Sequence, residues 1–189
     1  MDVRRFLRNL LLAIVPVYAV WTLVTPAYTR VVIAGGRTLV RVAESPNVTR
    51  LLPAYQDPNY AWIDRLDFPP SRRRVSSFRV TDLHFHLVLL GALFLAVPGI
   101  SWRERLAPLG WALLVAFGFH LVLVLFWVKF IYATQLGAWS AEHYGAFGRN
   151  FWGLGKHLLD LPVKLALPFA LWAAFHVRRL LPRRPAAPE

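Results

Sequence analysis

The sequence predicts an all-α membrane protein with four transmembrane helices and an extracytoplasmic loop of about 55 residues between the first and second. Three observations carry this. Of 189 residues, 57% are apolar and 17% are charged, against about 45–50% and roughly 25% in soluble domains. The apolar residues fall in continuous runs without the alternation of a barrel strand, and in hydrocarbon only a helix satisfies its backbone inside one such run. The runs also approach the ~20 residues that a spanning helix needs. The chain has no cysteine, which excludes disulfides, thiolate metal sites, iron–sulfur clusters and a cysteine nucleophile. Composition therefore rules out a soluble globular enzyme.

The spans are expected at about 10–27, 83–100, 107–130 and 158–180, with 28–82 as an extracytoplasmic cap and 1–189 as a single polytopic domain. The first is apolar from Leu10 to Val24 apart from Thr22, and no charge follows until Arg30. The second opens with His84 and His86 and stops at Pro98-Gly99. The third has a single polar group near its middle, His120, and the fourth carries Asp160, Lys164 and His176. Pro16, Pro162 and Pro168 predict kinks, which membrane helices tolerate. A cleavable signal peptide is the rival for the first run, with Arg4, Arg5 and Arg8 as its basic region and Thr25-Pro26-Ala27 as its cleavage site. The run is long for that role, and we read an uncleaved anchor.

Lys+Arg number 22 against 10 Asp+Glu, a formal charge of +12, and only Lys129, Lys156 and Lys164 are lysines. With both termini inside, 9 arginines fall in the short inner segments, against 11 basic residues outside. The inner ones crowd the helix ends, where charge sets topology, while the outer ones are diluted over long loops with acids among them. Both termini are therefore expected on the cytoplasmic side of the membrane.

Within the cap, Arg30, Arg37, Arg41 and Glu44 recur at helical spacing on one face. The expected element is an amphipathic helix lying on the membrane surface; a continuous extension of the first span is the alternative. Ser45-Pro46 ends it. Beyond, Pro53, Pro58, Pro69 and Pro70 cut the chain short, and strands are expected over Asn59–Phe68 and Val75–Thr81 in a small irregular cap with a β-hairpin.

Several groups qualify for binding. Arg72, Arg73 and Arg74 offer forked donors for an anion such as a lipid phosphate or an acidic peptide, or simply rest on anionic headgroups. Asp82 and His86 share a helical face at i, i+4, with His84 pointing away; a metal would need His143 or Glu142 as well, and an interfacial role is the plainer reading. His120 asks for a hydrogen-bond partner on a neighbouring helix, and Lys164 has Asp160 one turn back. The loop Thr134–His157 is rich in glycine and in aromatics (Trp139, Tyr144, Phe147, Phe151, Trp152) suited to headgroup depth. No nucleophile elbow, zinc helix, phosphate loop or carboxylate pair is present, so neither a catalytic residue nor a cofactor is predicted.

One stretch carries a resemblance. Arg79-Val80-Thr81-Asp82-Leu83-His84-Phe85 leads into Gly91-Ala92-Leu93-Phe94-Leu95-Ala96-Val97-Pro98-Gly99 and then Ile100-Ser101-Trp102-Arg103. This is similar to the exosortase H-associated membrane proteins, which share a first span, an outer loop and a polar entry into an "ALxLAxPG" helix. Exosortases cut and anchor proteins bearing a C-terminal sorting signal, using a cysteine with an arginine and a histidine. A chain without cysteine is not that enzyme, so the resemblance implies a non-catalytic accessory whose partner is the exosortase or its sorted substrate. An enzyme or binding protein acting on a lipid-linked phosphate at the outer leaflet, built from His84, His86, His143 and the arginines, is the alternative. A transporter ranks third, and nothing points to nucleic acid.

Overall fold

The computed structural model describes residues 3–180 and is 73% helical. Helix α1 (Val3–Val42) leads to a three-stranded sheet, β1 (Thr49–Pro53), β2 (Tyr60–Arg65) and β3 (Arg74–Arg79). Then come α2 (Thr81–His84), α3 (Leu87–Ala96), α4 (Trp102–Thr134), α5 (Ala138–His143), α6 (Ala146–Leu158) and, through a π-helical turn (Leu159–Val163), α7 (Lys164–Leu180). Among the described residues, three helices are long and apolar enough to cross a membrane: Val3–Val42, Trp102–Thr134 and Ala146–His176. The second apolar run, expected to span over 83–100, forms only the shorter segment Thr81–Ala96.

The first difference from expectation lies in α1. No separate surface helix exists: the 40 residues form one unbroken helix, with Pro16 and Pro26 inside it. The Arg30–Glu44 stretch stays in register with the span because its other face has something to bury. Val32, Ile33 and Val40 share a core with Leu51, Ala61, Ile63 and Phe78 of the sheet and with Leu123, Val124, Val128, Ile131 and Tyr132 of α4. Gly35 and Gly36 allow this approach, since a Cβ on Gly36 would stand 2.7 Å from Val124 Cγ1 and one on Gly35 would stand 2.8 Å from Leu121 Cδ2. The upper third of α1 and of α4 thus belongs to a head built on the bundle.

The sheet is an antiparallel meander in the order β1-β2-β3. The hairpin strands expected over Asn59–Phe68 and Val75–Thr81 form as the shorter β2 and β3, and β1 is an addition. In β2 alternate residues are buried, Ala61, Ile63 and Arg65 facing the core. Arg65 is the unusual one. Its guanidinium sits 4.0 Å from the Trp139 ring centroid and 4.7 Å from that of Tyr132, and it donates to both carboxylate oxygens of Asp67 at 3.0 and 2.6 Å. This clamp joins the sheet to α4 and α5. Those hydrogen bonds hold the Asp67 carboxyl below its ordinary range, partly offset by burial.

At the other end, α1, α3 and α7 close around Phe6, Leu93, Ala96 and Trp172, so the chain enters and leaves the bundle on one side. The last carbonyls of α3 are capped by side chains: Arg105 Nη1 donates to Leu95 O at 2.7 Å and Asn9 Nδ2 to Ala96 O at 3.3 Å. Gly99, at φ +72°, turns the chain into α4, which starts with a Ser101–Glu104 capping box. The stretch read as an aromatic loop is helical: it forms α5 and the start of a long final helix, with α6 packed on α4 where Gly155 lies against Phe126.

Candidate functional site: a buried histidine cluster below the head

Where the head meets the bundle, three histidines converge. The spacing of Asp82 and His86 predicts a shared face with His84 turned away; the structure reverses this. Phe85 and His86 form a tightened turn between α2 and α3, both still helical in φ and ψ, with His86 at ψ −12° and Val88 N donating to Phe85 O, so ideal i, i+4 spacing does not carry through. Asp82 is left exposed, while His84 and His86 both turn inward, at 0% and 5% exposure. Their rings lie 6.2 and 5.0 Å from that of His120, which is itself fully buried.

The hydrogen bonds fix part of the chemistry. Trp21 Nε1 can only donate and lies 3.3 Å from His84 Nδ1, so that nitrogen accepts and the ring proton sits on Nε2. Nε2 then donates to Thr29 Oγ1 at 3.2 Å. Tyr28 Oη and His120 Nδ1 share a 2.8 Å bond, the inter-helix partner expected for His120. Both nitrogens of His86, His120 Nε2 and Thr81 Oγ1 are buried and bond to no protein group among the described residues. Atoms of this kind pair with a buried water or another small polar guest. Among the described residues, no group of three or more His, Asp or Glu side chains is arranged to hold a metal ion.

Two clefts flank the cluster. An apolar groove of about 480 Å³ runs between α1, α3 and α4, with His84, Tyr28 and Trp21 at one end and Gly91, Leu95 and Trp102 further along. On the other side, Lys164 and His86 line a cleft with Ile14, Leu89 and Leu161. Lys164 Nζ donates to Asp160 Oδ1 at 2.6 Å, the expected pair, and also to Asp82 O at 3.0 Å. Lys156 meets the other oxygen of Asp160 at 3.1 Å and stands 3.9 Å from the Trp127 ring centroid. The π-helical turn at Pro162 lies between Lys156 and Lys164, which share one carboxylate.

The remaining predicted residues do not join this cluster. Arg72, Arg73 and Arg74 are exposed but divided: Arg74 lies 3.5 Å over the Trp62 ring and 3.4 Å from Asp64, Arg73 donates to Phe68 O, and Arg72 lines a separate cleft beside Trp139. His143 stacks on Trp139 at 4.2 Å, part of the clamp around Arg65. Sequence reading missed Trp21, Tyr28 and Thr29, although Trp21, Thr25 and Tyr28 recur at helical spacing as the polar face of an otherwise apolar span. No family model, characterised protein or solved structure matches this chain.

Proposed function

We propose that the chain is a non-catalytic accessory protein of an exosortase-type sorting system, acting by binding another polytopic membrane protein or its sorted substrate. In this reading it crosses a bacterial cytoplasmic membrane four times, with both termini in the cytoplasm and the head outside. Thr81–Ala96 supplies the fourth crossing. At 1.5 Å per residue it is about 24 Å long, and the extended Val97–Ile100 turn and a locally thinned bilayer make up the remainder.

The observation that carries the reading is the rigid union of head and bundle. One hydrophobic core runs from the sheet into α1 and α4, so the head is a fixed platform and not a tethered domain. A second support is the use made of the polar groups near the membrane. Two cluster histidines bond to a tryptophan, a threonine and a tyrosine, and the two lysines serve one aspartate, all of which builds the scaffold.

The test is affinity purification of the full chain from native membranes in mild detergent, with mass spectrometry of what stays bound. A stoichiometric, cysteine-containing polytopic protein is the expected result. Recovery with lipid but no protein partner refutes the accessory role. Topology has its own check: a cysteine introduced at Asn59, which is partly exposed in the head, is labelled by an impermeant reagent in spheroplasts, and protection reverses the orientation.

A further inference from the structure

The head's arginines divide into two sets. Arg65, Arg74 and Arg79 each meet a carboxylate of the chain, those of Asp67, Asp64 and Asp82. Arg30, Arg37, Arg41, Arg50, Arg72 and Arg73 meet none among the described residues, and all six are exposed; three of these, Arg30, Arg37 and Arg41, share α1. They recur at spacings of 7 and 4, which brings them within about 40° of one another around α1. Alongside, Val31, Ala34, Thr38 and Val42 form an adjoining exposed rank, with Val31 at 53% and Val42 at 82% exposure. The opposite face of the same turns carries Val32, Ile33, Gly36 and Val40, buried against the sheet and α4. A face so divided, charged along one edge and apolar along the other, has no covering element among the described residues.

Its height decides what covers it. Were this helix lying on the bilayer, phosphates would neutralise the arginines. It continues the candidate span without a break instead, because its inner face is head core. Arg37 and Arg41 lie about 10 and 16 Å further along the axis than Arg30 at 1.5 Å per residue, and Arg30 is the first charge after a stretch of uncharged residues long enough to span. That distance exceeds the ~8 Å screening length of physiological salt. The headgroup layer is therefore a poor counter-charge for the upper two.

We infer that the Arg30–Arg37–Arg41 edge of α1 is a docking face for an acidic amphipathic helix of a membrane-anchored protein. Carboxylates of that helix pair bidentately with the arginines while its apolar side covers Val31, Ala34, Thr38 and Val42. The inference rests on the accessory reading and narrows its contact surface to α1, since Arg74 of the Arg72–Arg74 run is already used within the head.

The test places a benzophenone photoprobe at Thr38 of the full chain in native membranes, with a control probe at Tyr55, which is 95% exposed elsewhere on the head. The expected result is one protein conjugate from Thr38, absent from Tyr55, whose crosslinked peptide is an acidic helical segment. R37E/R41E should lower its yield at least tenfold while leaving the thermal midpoint of the purified chain unchanged, and R37K/R41K should retain most of it. Conjugation to phospholipid alone, conjugation to a second copy of the chain, or a yield indifferent to charge reversal overturns the inference. If a partner still co-purifies in any of those cases, only the docking face falls; if no partner co-purifies, the accessory reading falls with it.

Discussion

Gly36→Ala tests the central packing claim, that the upper third of α1 is held to α4 at a glycine contact and not by lipid. The new Cβ would meet Val124 Cγ1 at 2.7 Å and Val124 Cβ at 3.2 Å. Val124 is fully buried, so its side chain has little room to retreat. Overpacking of this kind costs about 1–3 kcal/mol. Replacing a mid-helix glycine by alanine returns up to about 1 kcal/mol of helix propensity. The net expectation is a loss of about 0–2 kcal/mol, which the single variant alone does not resolve from zero. The double variant does. Val124→Ala by itself costs about 2 kcal/mol in lost burial and cavity, yet it removes the Cγ1 and Cγ2 atoms that the new methyl would strike. Gly36→Ala in that background should be neutral or stabilising, a coupling of about 1–2 kcal/mol. At about 2–4 °C per kcal/mol for a chain of this length, thermal unfolding followed by tryptophan fluorescence in detergent reads it. Gly110→Ala, where a Cβ meets nothing within 4 Å, is the control. Strictly additive midpoints for the two substitutions would refute the close approach.

Three further outcomes follow from the same geometry. Tyr28→Phe strips His120 Nδ1 of its partner in a fully buried site, so stability should fall by about 1–3 kcal/mol, read by the same thermal assay, with His120→Leu in that background recovering part of it. Asp160→Asn leaves Lys156 and Lys164 facing each other without their shared carboxylate; a loss of about 2–3 kcal/mol is expected, larger than for Lys164→Met, which keeps one pair intact. For Asp67, whose folded carboxyl titrates below its ordinary 3.8 because Arg65 donates to it, the contribution to head stability is complete well above that value. It drains away as pH falls through 3.8 toward the lower folded value. The gap in thermal midpoint between the unchanged chain and Asp67→Asn should therefore be constant from pH 8 to about 5 and close below pH 4. A gap that widens on acidification would contradict the Arg65 clamp.

Much of the helical architecture was legible in hydropathy, because a lipid-facing helix announces itself in every residue. The errors came where apolar residues serve a different solvent. Leu123, Val124 and Val128 continue the third apolar run, yet together with Ile131 and Tyr132 beyond Lys129 they are buried by β-strands and by α1, not by hydrocarbon. Hydropathy has no means of telling the two apart. The same blindness left the extension of α1 as the alternative and not the first reading: Arg30, Arg37 and Arg41 mark an amphipathic face equally well whether the opposite side meets lipid or a sheet. The sheet itself was half visible, since β2 alternates around Ala61 and Ile63, whereas β1 is a five-residue strand ending in proline. The histidine cluster was misread for a local reason. The helix tightens into a turn at Phe85–His86 with no residue there to signal it, and packing on α1 and beside Lys164 buries both histidines. The candidate residues were named individually, but their convergence is a tertiary fact.

The unbroken α1 has a mechanical consequence. A helix of 40 residues measures about 60 Å from base to tip, and its upper third is welded to the platform it carries. In the proposed membrane orientation the molecule is a lever pivoting at the base of α1. A tilt of about 10° there, well within the 0–40° range of membrane helices, sweeps the tip sideways by about 10 Å. A partner gripping the tip would feel bilayer thickness as displacement, and would in turn pull on the base. Changes of acyl-chain length should then shift the distance between a label on the head and one on the partner, with no change of contact anywhere in between.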